Sequence, residues 1–268
     1  VRRTAKRCVH EGLQVEPAAR TYFRDELREA RYGAFRDAEG FQAIVFAIER
    51  LGSALTGRAA ALRDYRDVLS GLAQRSSLAE QLPQAHPGWH TPFSSLYRLV
   101  TQGRNDALHQ GAYARRLTDH AVQLSLILED ALMESENLVR DFMVRKVVCA
   151  VPWQPISAAR QLMLANSFSF LPIHAVWEPP VRWLLISDYA IARFLRSSSS
   201  AGERNRRLAT RVQDAIESKQ LEVDDAEMCT PEDTLDDVLK VKARRLLLVL
   251  DRTDRSHLVG ALTPFDLL

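Results

Sequence analysis

The sequence predicts an α plus α/β fold: an N-terminal all-helical bundle, then a tandem pair of small α/β copies. Three observations predict it. Apolar residues recur at helical spacing through the first half. From about Met143, short runs rich in Val, Leu and Ile alternate with helical segments. The second half also matches itself at a shift of 76 residues. A chain of 268 residues with 46% apolar and 26% charged side chains is long enough for two cores and too apolar for a disordered protein.

Residues 1–19 read as a tail and 20–140 as the helical bundle. Phe41, Ile44, Val45, Ile48, Leu51 and Leu55 follow one helical face. Pro83, Pro87, Gly88 and Pro92 make Leu82 to Pro92 an expected loop. Leu117, Ala121, Leu124, Leu128, Ala131, Ser135, Leu138 and Phe142 then step by four and three, a heptad seam. Leu126, Ile127 and Leu132 widen its apolar face. The expectation is one long helix, running to about Phe142, that couples the two halves and can serve a dimer interface.

Residues 141–268 read as the repeat, with copies at about 141–196 and 220–268 and a linker at 197–219. On an ungapped shift Pro155 meets Pro231, Leu162 meets Val238 and Met163 meets Leu239. Leu171 meets Leu247, Ile173 meets Val249, Ile186 meets Leu262 and Ser187 meets Thr263. Each copy reads helix, strand, strand, helix. Ser197 to Gly202 reads as flexible, and Asn205 to Lys219 as helical.

Composition narrows the function classes. The apolar runs, such as Leu246 to Leu250, fall well short of the roughly 20 residues of a membrane span. The basic start, Val1 to Arg7, is not followed by an apolar segment, so no signal peptide and a cytoplasmic location are expected. Cys8, Cys149 and Cys229 are widely spaced, which argues against a disulfide framework or a cysteine zinc site. His86 and His90 are four apart but lack a third ligand at convincing spacing, so no metal is expected. No Walker loop, dinucleotide fingerprint or nucleophile elbow is present. Net charge is only +2, so any nucleic-acid site has to be local.

The repeat resembles a CBS domain pair. The first copy carries FMVRKVVCAVPWQPISAARQLMLANSFSFLPI and then WLLISDYAIARFL. The second carries PEDTLDDVLKVKARRLLLVLD and then HLVGALTPFDLL. The resemblance implies a compact pair with two clefts that binds an adenine nucleotide (AMP, ADP, ATP or S-adenosylmethionine) and regulates an attached domain. The family's ribose signature is Ser or Thr followed three residues later by Asp, at a strand end entering a helix. Thr263 and Asp266 match it. Ser187 matches its first position, but Ala190 stands where the Asp belongs, so one competent site is expected. The alternative is that Thr263 and Asp266 only cap a helix.

Gly103-Arg104-Asn105-Asp106-Ala107-Leu108-His109-Gln110-Gly111 resembles the Arg-x4-His motif of HEPN domains, placed at the start of a late helix. The resemblance implies a metal-independent ribonuclease that needs no cofactor. The chemistry fits: a histidine can take the proton of an RNA 2′-OH, and a guanidinium can stabilise the crowded phosphate. Asn105 and His109 share an ideal helical face, whereas Arg104 is turned about 140° from His109. A site built from both needs a bent first turn or two subunits, and the resemblance implies the second, a homodimer that places two motifs in one cleft. Arg104, Asn105 and His109 are thus the catalytic candidates, with RNA as substrate and Ser187, Thr263 and Asp266 as ligand-binding candidates. The alternatives are a non-catalytic nucleotide-sensing dimer that recruits or regulates a partner protein, and an antitoxin-like regulator.

Overall fold

A computed structural model describes residues 16–36, 40–106, 111–177, 179–198, 200–240 and 245–268. The chain forms two compact units, Val1–Glu136 and Asn137–Leu268. No described helix is long and apolar enough to cross a membrane.

The first unit is helical. It contains α1 (Pro17–Arg36), α2 (Phe41–Thr56), a 3-10 turn (Leu62–Tyr65), α3 (Arg66–Ala73), α4 (Gln81–Ala85), α5 (Phe93–Asp106) and α6 (Gly111–Met133). The expected stripe of α2 is buried at Phe41, Ile44, Val45, Ile48 and Leu51. Gly57 ends that helix at φ 68°, a left-handed cap that favours glycine. The expected loop at Leu82 to Pro92 is partly helix, since α4 reaches Ala85 and buries Pro83. Pro83 lies in a first turn, where a missing N–H breaks no helical bond.

The seam helix is shorter than the heptads suggest. It stops at Met133, so Ser135, Leu138 and Phe142 lie outside it. Leu117, Ala121, Leu124, Leu128 and Ala131 are buried in a helix that packs on α1, α2, α3 and α5. The seam is therefore consumed inside its own bundle rather than offered to a second copy. Leu126 points outward, against expectation. A row of arginines on α1 faces the polar edge of α6 and the residues just after it. Arg20 pairs with Glu136, and Arg28 and Arg31 meet Glu129.

The second unit begins at Asn137, four residues before the expected boundary. It contains α7 (Val139–Phe142), α8 (Ile156–Asn166), β1 (Phe170–Ala175), β2 (Arg182–Ser187), α9 (Asp188–Arg196), α10 (Ala201–Ala209) and α11 (Val212–Glu217). β3 (Asp224–Asp225), β4 (Glu227–Cys229), α12 (Leu235–Lys240), β5 (Leu247–Leu250), β6 (Leu258–Leu262) and a 3-10 turn (Pro264–Leu267) follow. The sheets are β1-β2-β3 and β4-β5-β6.

The strands keep the 76-residue shift: Leu171 pairs with Ile186 as Leu247 pairs with Leu262. The preceding helices do not. Ala150 bridges Ile173 as Cys229 pairs with Val249, and α8 starts at Ile156 where α12 starts at Leu235, a shift of 79. Buried Val238 thus corresponds to buried Ala159, and Leu239 is exposed. The repeat has a three-residue gap between α12 and β5, and the pairings of Leu162 with Val238 and Met163 with Leu239 are displaced by it.

The copies are also interlocked. Val139 N–H donates to Asp233 O at 2.9 Å and Arg140 N–H to Pro231 O at 3.0 Å. In the other copy Val212 N–H donates to Gln154 O at 2.9 Å and Gln213 N–H to Pro152 O at 3.0 Å. The same shift of 79 relates the two sets of acceptors. The segment before copy one therefore secures copy two, and the segment before copy two secures copy one. Pairing at the strands repeats this exchange: Val144 bridges Ala261, and Asp224 pairs with Leu185. Residues 210–213 are thus structural parts of copy one rather than a linker. Ser200 and Gly202 also leave the expected flexible stretch, because Ser200 Oγ accepts from Glu203 N–H at 3.2 Å and caps α10. Trp183, Leu185, Ala226, Leu248, Leu250 and Ala261 form an apolar cluster that draws on both sheets.

Candidate functional site

Two strand ends carry the candidate ligand residues. β2 ends at Ser187, whose Oγ accepts from Ala190 N–H at 3.0 Å and caps α9. β6 leads to Thr263, at the position equivalent to Ser187 under the strand shift. There the carboxylate reaches back. Thr263 N–H and the Thr263 hydroxyl both donate to Asp266 Oδ2, at 2.8 and 2.7 Å. Asp266 is buried at 8% exposure. The helix expected after Thr263 is a single 3-10 turn.

A buried carboxylate holding two local donors is a stable cap. To receive ribose hydroxyls it has to share that oxygen or present the other. The same Thr-Pro-x-Asp pattern recurs at Thr230 and Asp233, where Thr230 N–H donates to Oδ2 at 2.7 Å and its hydroxyl to Oδ1 at 2.9 Å. The pattern therefore marks a reciprocal turn in this chain, whether or not a ligand uses it. Tyr189 and Phe265 occupy equivalent positions beside Ser187 and Asp266 and are both exposed. A cleft of about 500 Å³ in this unit is lined by Trp177, Arg182, Ile216, Glu217, Lys219, Leu221, Glu222 and Val223, and by none of Ser187, Thr263 and Asp266.

In the helical unit, Arg104 lies in the last turn of α5 rather than at the start of a late helix. Its Nη1 is ion-paired with Glu49 Oε1 on α2, and Glu49 Oε1 also accepts Leu62 N–H at 3.1 Å. The Asn105 side chain and His109 lie outside the described residues, so of the catalytic candidates only Arg104 is placed. Glu49 was not singled out by spacing, because its link to Arg104 joins helices 55 residues apart.

Among the described residues no group of three or more His, Cys, Asp and Glu could hold a metal ion. Burial pushes the Cys149 thiol up, and burial with the nearby Asp233 charge pushes Cys229 up to about 12. Both therefore stay as thiols near neutral pH.

The crossed segments had a faint signal in the sequence. Val139, Asp141 and Met143 match Val212, Asp214 and Ile216 at a shift of 73. Two identities in five residues are too few to stand out without the hydrogen bonds.

Comparison with known proteins finds no matching family model and no matching curated protein. Solved structures do match. A CBS-domain containing protein from Agrobacterium tumefaciens aligns at 15% identity, covering 48% of this chain and 90% of that one, with a TM-score of 0.35. A hemolysin-like protein containing a CBS domain, from Oenococcus oeni, aligns at 16% identity over 48% of this chain and 86% of that one, with a TM-score of 0.36. CbpB in complex with c-di-AMP aligns at 16% identity over 48% of this chain and 81% of that one, with a TM-score of 0.36.

Proposed function

We propose that this protein is a nucleotide-responsive regulator. Its second unit is a CBS-type pair that binds one adenine nucleotide at the Thr263–Asp266 turn, and its helical unit carries the output. The observation that carries this reading is the interlocked duplication with Ser187 and Thr263 at the same strand end. Only one of those ends bears a carboxylate three residues on, and a carboxylate suits a ribose diol because it accepts from both hydroxyls. Asn137–Val144, the segment that follows the helical unit, is hydrogen-bonded into copy two through Val144 and Ala261 at 2.8 and 2.9 Å. A ligand beside Thr263 thus acts on the strand that this segment joins.

A non-catalytic output, recruiting or regulating a partner protein, is favoured by the Arg104–Glu49 pair, because a neutralised guanidinium is a poor phosphate anchor. The second reading is a dimeric metal-independent ribonuclease using Arg104, Asn105 and His109. It is favoured by the 39% exposure of the Arg104 side chain, which leaves it within reach of a substrate. Calorimetry with AMP, ADP, ATP and S-adenosylmethionine tests the sensor: one site per chain is expected, and no heat with any of them rejects it. Incubation with total RNA in EDTA separates the outputs. Intact RNA supports the recruiting form, and cleavage lost in His109→Ala supports the nuclease.

A further inference from the structure

We propose that the second unit carries a binding surface for single-stranded nucleic acid, formed by Arg196, Arg204, Arg206 and Arg211 with Trp153. Residues 193–211 hold six arginines (193, 196, 204, 206, 207 and 211) against one acid, Glu203, a local charge of +5 in a chain whose net charge is +2. Two of these arginines have structural work. Arg193 pairs with Glu222. Arg207 pairs with Glu203, lies over the Phe194 ring at 5.3 Å and so pins α10 to α9. Arg196, Arg204, Arg206 and Arg211 are exposed, and no carboxylate partner meets them among the described residues.

Arg196 ends α9, Arg211 precedes α11, and α10, which presents Arg204 and Arg206, adds little else. α10 has no buried residue and no counterpart within the second unit, unlike α11, which matches α7. Trp153 is 72% exposed, the reverse of what burial of an indole favours. It sits in the loop that the start of α11 holds through Gln154 O and Pro152 O, and Arg211 bridges the neighbouring Pro155. An exposed indole in the loop that Arg211 bridges, with further exposed guanidinium groups at Arg196, Arg204 and Arg206, is the composition that stacks a base and tracks phosphates. Arg204 and Arg206 leave α10 about 200° apart. A flexible strand can meet both, whereas a straight duplex meets one. This surface does not rest on the nucleotide-sensor reading.

The test is fluorescence anisotropy of the full chain with a labelled 20-mer of deoxythymidine, which lacks the 2′-OH and so survives any ribonuclease output. Binding is expected, with a slope of log affinity against log salt of about −3 for four phosphate contacts. R204A/R206A/R211A should weaken binding at least tenfold and flatten the slope by about 2. Trp153→Ala should weaken it roughly tenfold. R252A/R255A, which removes two exposed arginines from the β5–β6 turn, should leave it unchanged. No binding at low salt, equal loss in R252A/R255A, an unaffected Trp153→Ala protein, or binding to phosphatidylserine vesicles without binding to the oligonucleotide would each overturn the proposal.

Discussion

Glu129 on α6 receives both arms of Arg31 on α1, with Nε to Oε1 at 3.1 Å and Nη2 to Oε2 at 2.9 Å. Both side chains are buried, and Ser125 adds a third donor to Oε1 at 2.9 Å. Burial opposes the charge on Arg31, but the hydrogen bond and charge of Glu129 together outweigh it, and the Arg31 pKa is raised. Glu129→Ala strands that guanidinium and should cost about 3–5 kcal/mol. Replacing both partners, R31M/E129L, should cost less, because the buried Arg31 guanidinium goes together with its carboxylate, and what is lost besides is the Ser125 hydrogen bond and the longer 3.9 Å pairing of the more exposed Arg28. Urea denaturation checks this: an E129A protein as stable as the double variant contradicts it.

The interlocked copies should unfold together. Val139 is fully buried in the cluster of copy two, with Met143, Val238 and Val249. Val139→Ala removes two methyl groups from that cluster and should cost roughly 2 kcal/mol. Because copy one and copy two each hold a segment of the other's chain, the amides of β1 should exchange faster as well. Hydrogen exchange that speeds up only in β5 and β6 would show two independent copies.

Asp266 is both a cap and the proposed ligand group. Asp266→Ala should weaken adenine-nucleotide binding by ten- to hundredfold, the equivalent of about 1.5–3 kcal/mol for a lost charged hydrogen bond. Ser187→Ala loses a cap worth about 1 kcal/mol of stability and should change binding little. Calorimetry on both variants, with thermal melting alongside, reads the two effects separately. Equal weakening by both substitutions would place the ligand elsewhere.

The β5–β6 turn gives an acid dependence of known sign. Hydrogen bonds from the Thr253 hydroxyl, and then from backbone N–H groups, hold Asp251 below its ordinary range. The Ser256 hydroxyl does the same for Asp254. The folded values are depressed, so the stabilisation is complete above the unfolded value of about 3.9 and is lost as pH falls through the folded values. The difference in urea midpoint between wild type and D251N/D254N should therefore narrow below about pH 4. A difference that stays constant from pH 6 to about pH 2.5 contradicts the assignment.

The division into a helical half and a duplicated α/β half is legible in the sequence. So are the buried stripe of α2, the correspondence of Leu171, Ile173 and Ile186 with Leu247, Val249 and Leu262, and the asymmetry between Ala190 and Asp266. These are legible because helical and strand periodicity and tandem similarity are written in neighbouring residues. The rest depends on packing between distant segments. The heptad steps past Met133 look continuous with α6, yet the chain leaves that helix because Val139 and Met143 are buried in the core of copy two. The three-residue gap after α12 escaped an ungapped shift, since apolar residues line up in either register. The crossed segments, the Arg31–Glu129 fork and the Arg104–Glu49 pair join residues far apart in the chain. Their partners are chosen by packing and by the need to pair charges withdrawn from water, and no local spacing records that choice.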